Sequence, residues 1–181
     1  MLLAGLAWFG PAQGVAQTNS PGEYEVKAAF VYNFIRFVEW PAESFAGPES
    51  PYVVCVVGED PFGPVLERVL ADRVVMNRRV ESRRVSSTAA VGSSCHVAFV
   101  GEGNADAVLR GPHGVLTVGE GRQFTLSGGM IELHLEEQKV RFSVNVAPAN
   151  AAGLRISSQL LKLAEVVLDS ASKGNSGHDV Q

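Results

Sequence analysis

Apolar residues along this chain change period several times, and each change predicts a different element. Val26, Phe30, Phe34 and Phe37 follow helical spacing, flanked by Val31, Ile35 and Val38, while Glu25, Asn33 and Arg36 keep a narrow polar strip. Ser20-Pro21-Gly22-Glu23 has the capping-box arrangement at the head of this helix, and Pro41 ends it after Trp40. So wide and aromatic a face reads as core, with a partner-binding face as the alternative. Tyr52–Val57 (YVVCVV) is a continuous β-branched run, as expected of a strand buried on both faces. A helix over Phe62–Leu70, a strand over Arg79–Val85, a strand over His96–Val100, a short helix over Ala105–Leu109 and a strand over Val115–Val118 follow. This order predicts an α/β protein, a three-layer αβα sandwich around a mostly parallel, Rossmann-like sheet.

Beyond Gly128-Gly129 the period becomes two. Ile131, Leu133 and Leu135 alternate with Glu132, His134 and Glu136, and Val140, Phe142, Val144 and Val146 alternate with Arg141, Ser143 and Asn145. The pattern predicts a C-terminal antiparallel hairpin turning at Glu136–Lys139, with Leu135 opposite Val140, Leu133 opposite Phe142 and Ile131 opposite Val144. On its polar face Arg141 then lies opposite His134. Pro148–Ala152 reads as a helical turn ended by Gly153, and Ile156, Leu160, Leu163 and Val167 predict a closing amphipathic helix.

The two ends differ from the body. Leu2–Phe9 is too short to span a bilayer but suits the apolar region of an export signal, and Gly14-Val15-Ala16 suits its cleavage site, so residues 1–17 read as a signal peptide. No Lys or Arg precedes Lys27, so the usual positive head is missing. Residues 170–181 are polar and Gly/Ser-rich and read as a disordered tail, leaving a single domain over 23–169. The 181 residues carry 15 Lys+Arg against 19 Asp+Glu, a net charge of −4, with no long basic run. Nucleic acid is therefore not an expected partner.

Tests for chemistry give few candidates. Gly58-Glu59-Asp60-Pro61-Phe62-Gly63 has neither familiar phosphate-loop spacing, and the histidines and two cysteines lack metal-ligand spacing, so neither a nucleotide cofactor nor a metal is expected. No nucleophile elbow occurs, and Cys95 and His96, as strand neighbours, point to opposite faces. Three strands end alike, at Val57-Gly58-Glu59, Val100-Gly101-Glu102 and Val118-Gly119-Glu120, which places three glutamates on the ligand-binding edge of a parallel sheet or simply in water. Cys55 and Cys95 fall on strands that are commonly adjacent in doubly wound sheets. In an exported protein they would form a disulfide stabilising by about 4 kcal/mol, and otherwise they are two buried thiols. Arg73, Arg78, Arg79, Arg83 and Arg84 form one basic cluster, read as charge protecting an edge strand or as a site for an acidic partner.

Several segments together resemble the YfiR family of bacterial periplasmic proteins. They are Lys27–Phe34 running to Phe37-Val38-Glu39-Trp40-Pro41, Cys55–Gly58 with Asp60–Gly63, Cys95–Phe99, Leu116–Gly119, Phe124 before Gly128–Ile131, Val140–Phe142 before Asn145, and Leu154–Ser158 before Leu160-Leu161. The resemblance implies a non-enzymatic periplasmic inhibitor that holds the sensor part of an inner-membrane diguanylate cyclase inactive, lowering cyclic di-GMP and biofilm formation. It implies an outer-membrane-associated protein that sequesters the inhibitor, and an oxidised cysteine pair. Some relatives carry a second pair near the hairpin, which this chain lacks. A homodimer is compatible with the sequence. The hairpin's polar face and the double glycine make Gly128, Gly129, Met130, Glu132, Arg141 and Asn145 the candidate partner-binding residues. Alternatively, Arg141 and Asn145 satisfy buried backbone groups beneath the last helix. The competing function, from another class, is a periplasmic small-solute-binding protein for transport or sensing.

Overall fold

The computed structural model describes residues 21–86, 91–92, 94–101, 114–121 and 123–169. The expected signal peptide, the Ser20 cap, the Ala105–Leu109 helix, Glu102 and the 170–181 tail lie outside them. Helix α1 (Pro21–Phe37) is followed by β1 (Val38–Glu39), β2 (Tyr52–Val57), α2 (Val65–Leu70), β3 (Val74–Val75), β4 (Arg78–Val85), β5 (Val97–Val100), β6 (Leu116–Glu120), β7 (Ile131–Glu136) and β8 (Lys139–Asn145). Then come a short helix Val146–Ala151, β9 (Arg155–Ile156), a one-turn helix Ser158–Leu161 and β10 (Val167–Leu168).

Among the described residues one sheet runs β10-β8-β7-β6-β5-β2-β4-β3. β4, β2, β5, β6 and β7 are mutually parallel, and their order is second, first, third, fourth, fifth along the chain. That is the flavodoxin-like winding, which changes direction between β2 and β5. All six residues of β2 are buried, because helices cover one face and other segments the opposite one. The helical side holds Val31, Phe34, Ile35, Val54, Val56, Leu66, Phe99, Leu116, Ile131, Leu133, Phe142 and Leu160. The second side holds Val53, Cys55, Val57, Val91, Cys95, Ala98, Val100, Val115 and Phe124. Strand alternation assigns neighbouring residues of β2 to the two sides.

The α/β class, the parallel sheet and the hairpin all agree with the sequence pattern. The register pairs Leu135 with Val140, Leu133 with Phe142, Ile131 with Val144 and His134 with Arg141. Glu137 and Gln138 at its tip have φ of 46° and 62°, the left-handed values a two-residue hairpin turn requires. Phe142 reaches α1, its ring 5.5 Å from Phe30 and 5.3 Å from Phe34. A second hairpin joins β3 to β4 and covers only Arg78 and Arg79, so most of β4 remains a sheet edge.

Three expectations need correction. α1 ends at Phe37, and Val38–Glu39 pairs antiparallel with Arg155–Ile156 before Pro41 is reached. Its buried stripe runs through Lys27, Ala28, Val31, Phe34 and Ile35, leaving Val26 45% exposed. The helix expected from Phe62 begins only at Val65, after Pro64. Asp60 Oδ1 accepts from the Phe62 N–H at 2.9 Å and shapes the preceding turn.

The largest correction is at the C-terminus, where no long closing helix forms. Ser157 caps a single turn by accepting from the Leu160 N–H, after which the chain becomes extended. Glu165 N donates to Phe142 O, Val144 N donates to Val166 O, and β10 pairs parallel with β8. The open edge of β8 offers hydrogen bonds that a solvated helix cannot supply, and Val166-Val167 favours extended backbone. Leu163, placed in the predicted helix's apolar stripe, is 70% exposed.

Cys55 and Cys95 are joined by a disulfide with Cα atoms 5.7 Å apart, at the junction where the winding reverses. Both residues are buried, so the bond serves as a core staple. Denatured, unreduced protein should show no free thiol among these two residues. The Cys55→Ala/Cys95→Ala protein should lose about 4 kcal/mol of unfolding free energy in a urea titration.

Candidate functional site

At the carboxyl edge of the parallel strands the two described glutamates, Glu59 and Glu120, stand in different surroundings. Glu59 is exposed, and Glu102 is outside the described residues. Glu120 is enclosed: Lys27 Nζ lies between Glu120 and Glu23, with the three side chains 6–12% exposed. The Tyr24 hydroxyl donates to Glu120 Oε2 at 3.4 Å, and the Lys27 ammonium sits 4.6 Å from the Tyr24 ring centre. This clasp ties the first turns of α1 to the end of β6. The signal available in the sequence was a lysine three and four residues from Phe30 and Val31 on an otherwise apolar stripe.

The hairpin's polar face is turned mostly inward. Glu132 is 3% exposed and its Oε2 accepts from both the backbone N–H and the hydroxyl of Thr125, at 3.2 and 3.1 Å. Asn145 is also buried; its Nδ2 donates to Thr125 O at 3.0 Å, while its backbone N–H donates to Met130 O. The Met130 N–H donates to Thr117 Oγ1, and the Met130 side chain joins the helical-side core. Together these bonds hold the turn 123–129 against the sheet. Gly128, at φ 104°, is where that turn needs left-handed backbone.

The close approach expected at the double glycine is made from within the chain. A Cβ on Gly129 would lie 2.2 Å from the Phe124 ring, and one on Gly119 2.4 Å from the same ring. Of the six candidates Arg141 alone is exposed, with its Nε 3.9 Å from Glu136. Asn145 therefore does satisfy a buried carbonyl, though beneath the 123–129 turn and not beneath a last helix. His134 lies beside these residues, its Nε2 2.6 Å from Glu165 Oε2 and its Nδ1 3.7 Å from Glu132 Oε1. The link to Glu165 is hidden in the sequence, whose period predicts a helix there.

The arginine cluster divides. Arg84 bonds to Asp60, Glu67 and the Gly63 carbonyl, and Arg78 donates to the Gly47 and Ser50 carbonyls at 2.8 and 2.7 Å while lying 3.9 Å from the Phe45 ring centre. Arg79 and Arg83 are exposed, and Arg83 reaches Glu81 at 3.8 Å. Arg73 donates to the Val69 carbonyl at 3.2 Å and lies 5.1 Å from the Tyr32 ring centre. Three members thus serve local structure and two keep the edge of β4 charged.

Next to Arg78, His96 is 7% exposed and stacks on Phe45 with ring centres 4.6 Å apart. Its Nδ1 accepts from the Val53 N–H at 3.1 Å, so a hydrogen can reside only on Nε2 of the neutral ring. Burial holds its pKa below the ordinary histidine value, and the Arg78 charge adds to the lowering.

These features define a disulfide-stapled, doubly wound α/β domain whose polar groups are largely committed to internal bonds. A family model described as DUF4154, YfiR/HmsC-like, matches residues 24–165, and the chain belongs to this family. Among solved structures it is similar to a conserved domain protein from Vibrio cholerae O1 biovar El Tor, at 13% identity and a TM-score of 0.50. The likeness covers 80% of this chain and 60% of that one, and it shows the fold alone. No curated protein matches significantly.

Lys27→Met should cost about 3–5 kcal/mol, because it leaves two enclosed carboxylates facing one another; chemical denaturation measures it. His96 supplies a pH dependence of known sign. Its contribution to stability is complete above about pH 6.5, where the unfolded histidine is neutral. It falls as the pH drops below that value toward the lowered folded one, since the unfolded chain takes up the proton first. His96→Gln should flatten this acid limb in melting curves taken between pH 7 and pH 5.

Proposed function

We propose that the chain is a non-enzymatic regulatory protein of the periplasm. In this reading it binds the sensor domain of an inner-membrane diguanylate cyclase, holds the cyclase inactive, and so lowers cyclic di-GMP and biofilm formation. The observation that carries the reading is the YfiR/HmsC-like match across residues 24–165, nearly the whole body. The Cys55–Cys95 disulfide supports an oxidising compartment. Among the described residues, no helix is long and apolar enough to cross a membrane.

Repression needs a surface that binds one cyclase conformation more tightly than the other, and tenfold repression requires about 1.4 kcal/mol of differential binding. We place that surface on the outer flank of the hairpin, with Arg141 in contact and half-buried Gly128 in the adjoining turn, while the buried Gly129 and Met130 hold that turn in place from within. Glu132 and Asn145 shape it from behind through their bonds to Thr125. An outer-membrane-associated protein that covered the same surface would release the cyclase.

Deletion of the gene should raise cyclic di-GMP at least several-fold in cells expressing the partner cyclase, and the purified protein should retain the cyclase's periplasmic domain. Arg141→Glu, at an exposed position, should weaken that complex at least tenfold without lowering the melting temperature. Unchanged cyclic di-GMP with the cyclase expressed would overturn the regulatory reading, and unchanged binding by the variant would remove only the surface assignment.

A further inference from the structure

The helical face of the sheet carries a basic and aromatic surface where the last turns of α1 meet the segment leaving α2. Tyr32 and Phe37 are half-buried, resting against the core. The Arg36 guanidinium lies 5.9 Å from the Tyr32 ring centre and 5.7 Å from that of Phe37, and the Arg73 guanidinium lies 5.1 Å from the Tyr32 ring centre. One tyrosine thus holds two like charges at the same surface, brought from elements far apart in sequence. Both arginines are exposed.

Two guanidinium ions at one ring repel each other, and no acid offsets the repulsion. Among the described residues neither arginine forms an ion pair: Arg36 donates to Asn33 Oδ1 at 3.5 Å, and Arg73 donates to the Val69 carbonyl through Nε. Asp72, the acid beside Arg73 in sequence, is exposed and pairs with neither. Arg84 shows the contrast, its charge engaged by Asp60 and Glu67. A guanidinium resting on an aromatic ring keeps the N–H groups at its edge, so the stacking fixes each fork and leaves it open. Such forks match carboxylates, and ordering them beforehand lowers the entropy lost on binding.

Tyrosine and arginine are also the side chains that carry most of the energy at protein interfaces. We propose that Tyr32, Arg36 and Arg73 form a docking surface for an acidic segment of a protein partner, two of its carboxylates taken by the two guanidinium groups and its backbone passing over Tyr32. The net charge of −4 repels polyacids from the chain as a whole, so attraction to such a segment has to come from a local patch of this kind. The surface goes beyond the cyclase reading and is separate from the Arg141 flank. Arg141 alternates with Phe142, which joins the helical-side core, and so lies on the other side of the sheet.

The probe is dye-labelled hexaglutamate, titrated into the purified chain at pH 7.5 and followed by fluorescence anisotropy. Saturable binding is expected, weakening at least tenfold between about 50 and about 500 mM NaCl, with none for hexaglutamine. Arg36→Gln/Arg73→Gln, at exposed positions, should weaken it at least tenfold while circular dichroism shows the fold kept. Arg36→Lys/Arg73→Lys retains the charge without the forks and should weaken it about threefold. Arg79→Gln/Arg83→Gln, on the edge of β4, should leave it unchanged. Absence of saturable binding, an equal response to hexaglutamine, or parental affinity in the glutamine or lysine variant of Arg36 and Arg73 would overturn the proposal. So would loss of binding in the β4 variant, which puts the acid elsewhere, or capture by phosphatidylglycerol vesicles of a chain that ignores hexaglutamate, which makes the patch a lipid site. None of these outcomes bears on the cyclase reading.

Discussion

The structure depends on the requirement that β2 be covered on both faces. Six consecutive buried residues, Tyr52–Val57, alternate between two cores, and neither core can form unless chain returns to both sides of the sheet. α1 and α2 meet the first need. On the other side the described cover is thinner, made by Val91, Cys95 and Phe124, and there the fold uses a covalent bond and a ring packed against glycine backbone. The two sides are therefore held by different physics: broad apolar contact on one, and a few highly constrained contacts on the other.

What the sequence makes legible follows from how local each signal is. The β2 run and the hairpin register are periodic over six or more residues, and both appear where their periods put them. The C-terminal segment has a plausible helical period, yet its conformation is decided by β8, whose open edge takes Glu165, Val166 and Val167 into the sheet. Period two also separates faces without saying which face meets solvent. Glu132 and Asn145 lie on the polar side of the pattern and are buried all the same, because the turn 123–129 folds over them. A covering residue 7 positions from Glu132 and 20 from Asn145 leaves no trace in the alternation itself.

Charge shows the same lesson. Glu59, Glu102 and Glu120 share a sequence context, but Glu120 alone among the described members is drawn inside, because Lys27 on α1 arrives opposite it. Arg78 and Arg84 likewise find carbonyls and carboxylates brought by distant loops, while Arg79 and Arg83 on the other side of the same strand do not. Ion pairs of this kind are made by topology, and no spacing rule within a segment anticipates them. Fewer charges are thus left for recognition than the composition suggests, which directs attention to exposed flanks such as Arg141.

The seating of Phe124 against Gly119 and Gly129 has a consequence for how this domain can change through descent. With either glycine replaced, a Cβ would fall inside the van der Waals shell of the ring, at 2.4 or 2.2 Å. Substitutions at the three positions must therefore be accepted in a particular order: the ring has to shrink before either glycine can gain a side chain. A lineage that keeps the phenylalanine is confined to glycine at both other places. The turn that frames the hairpin is then inherited as a block, while exposed residues around it remain free to follow whichever partner the lineage acquires.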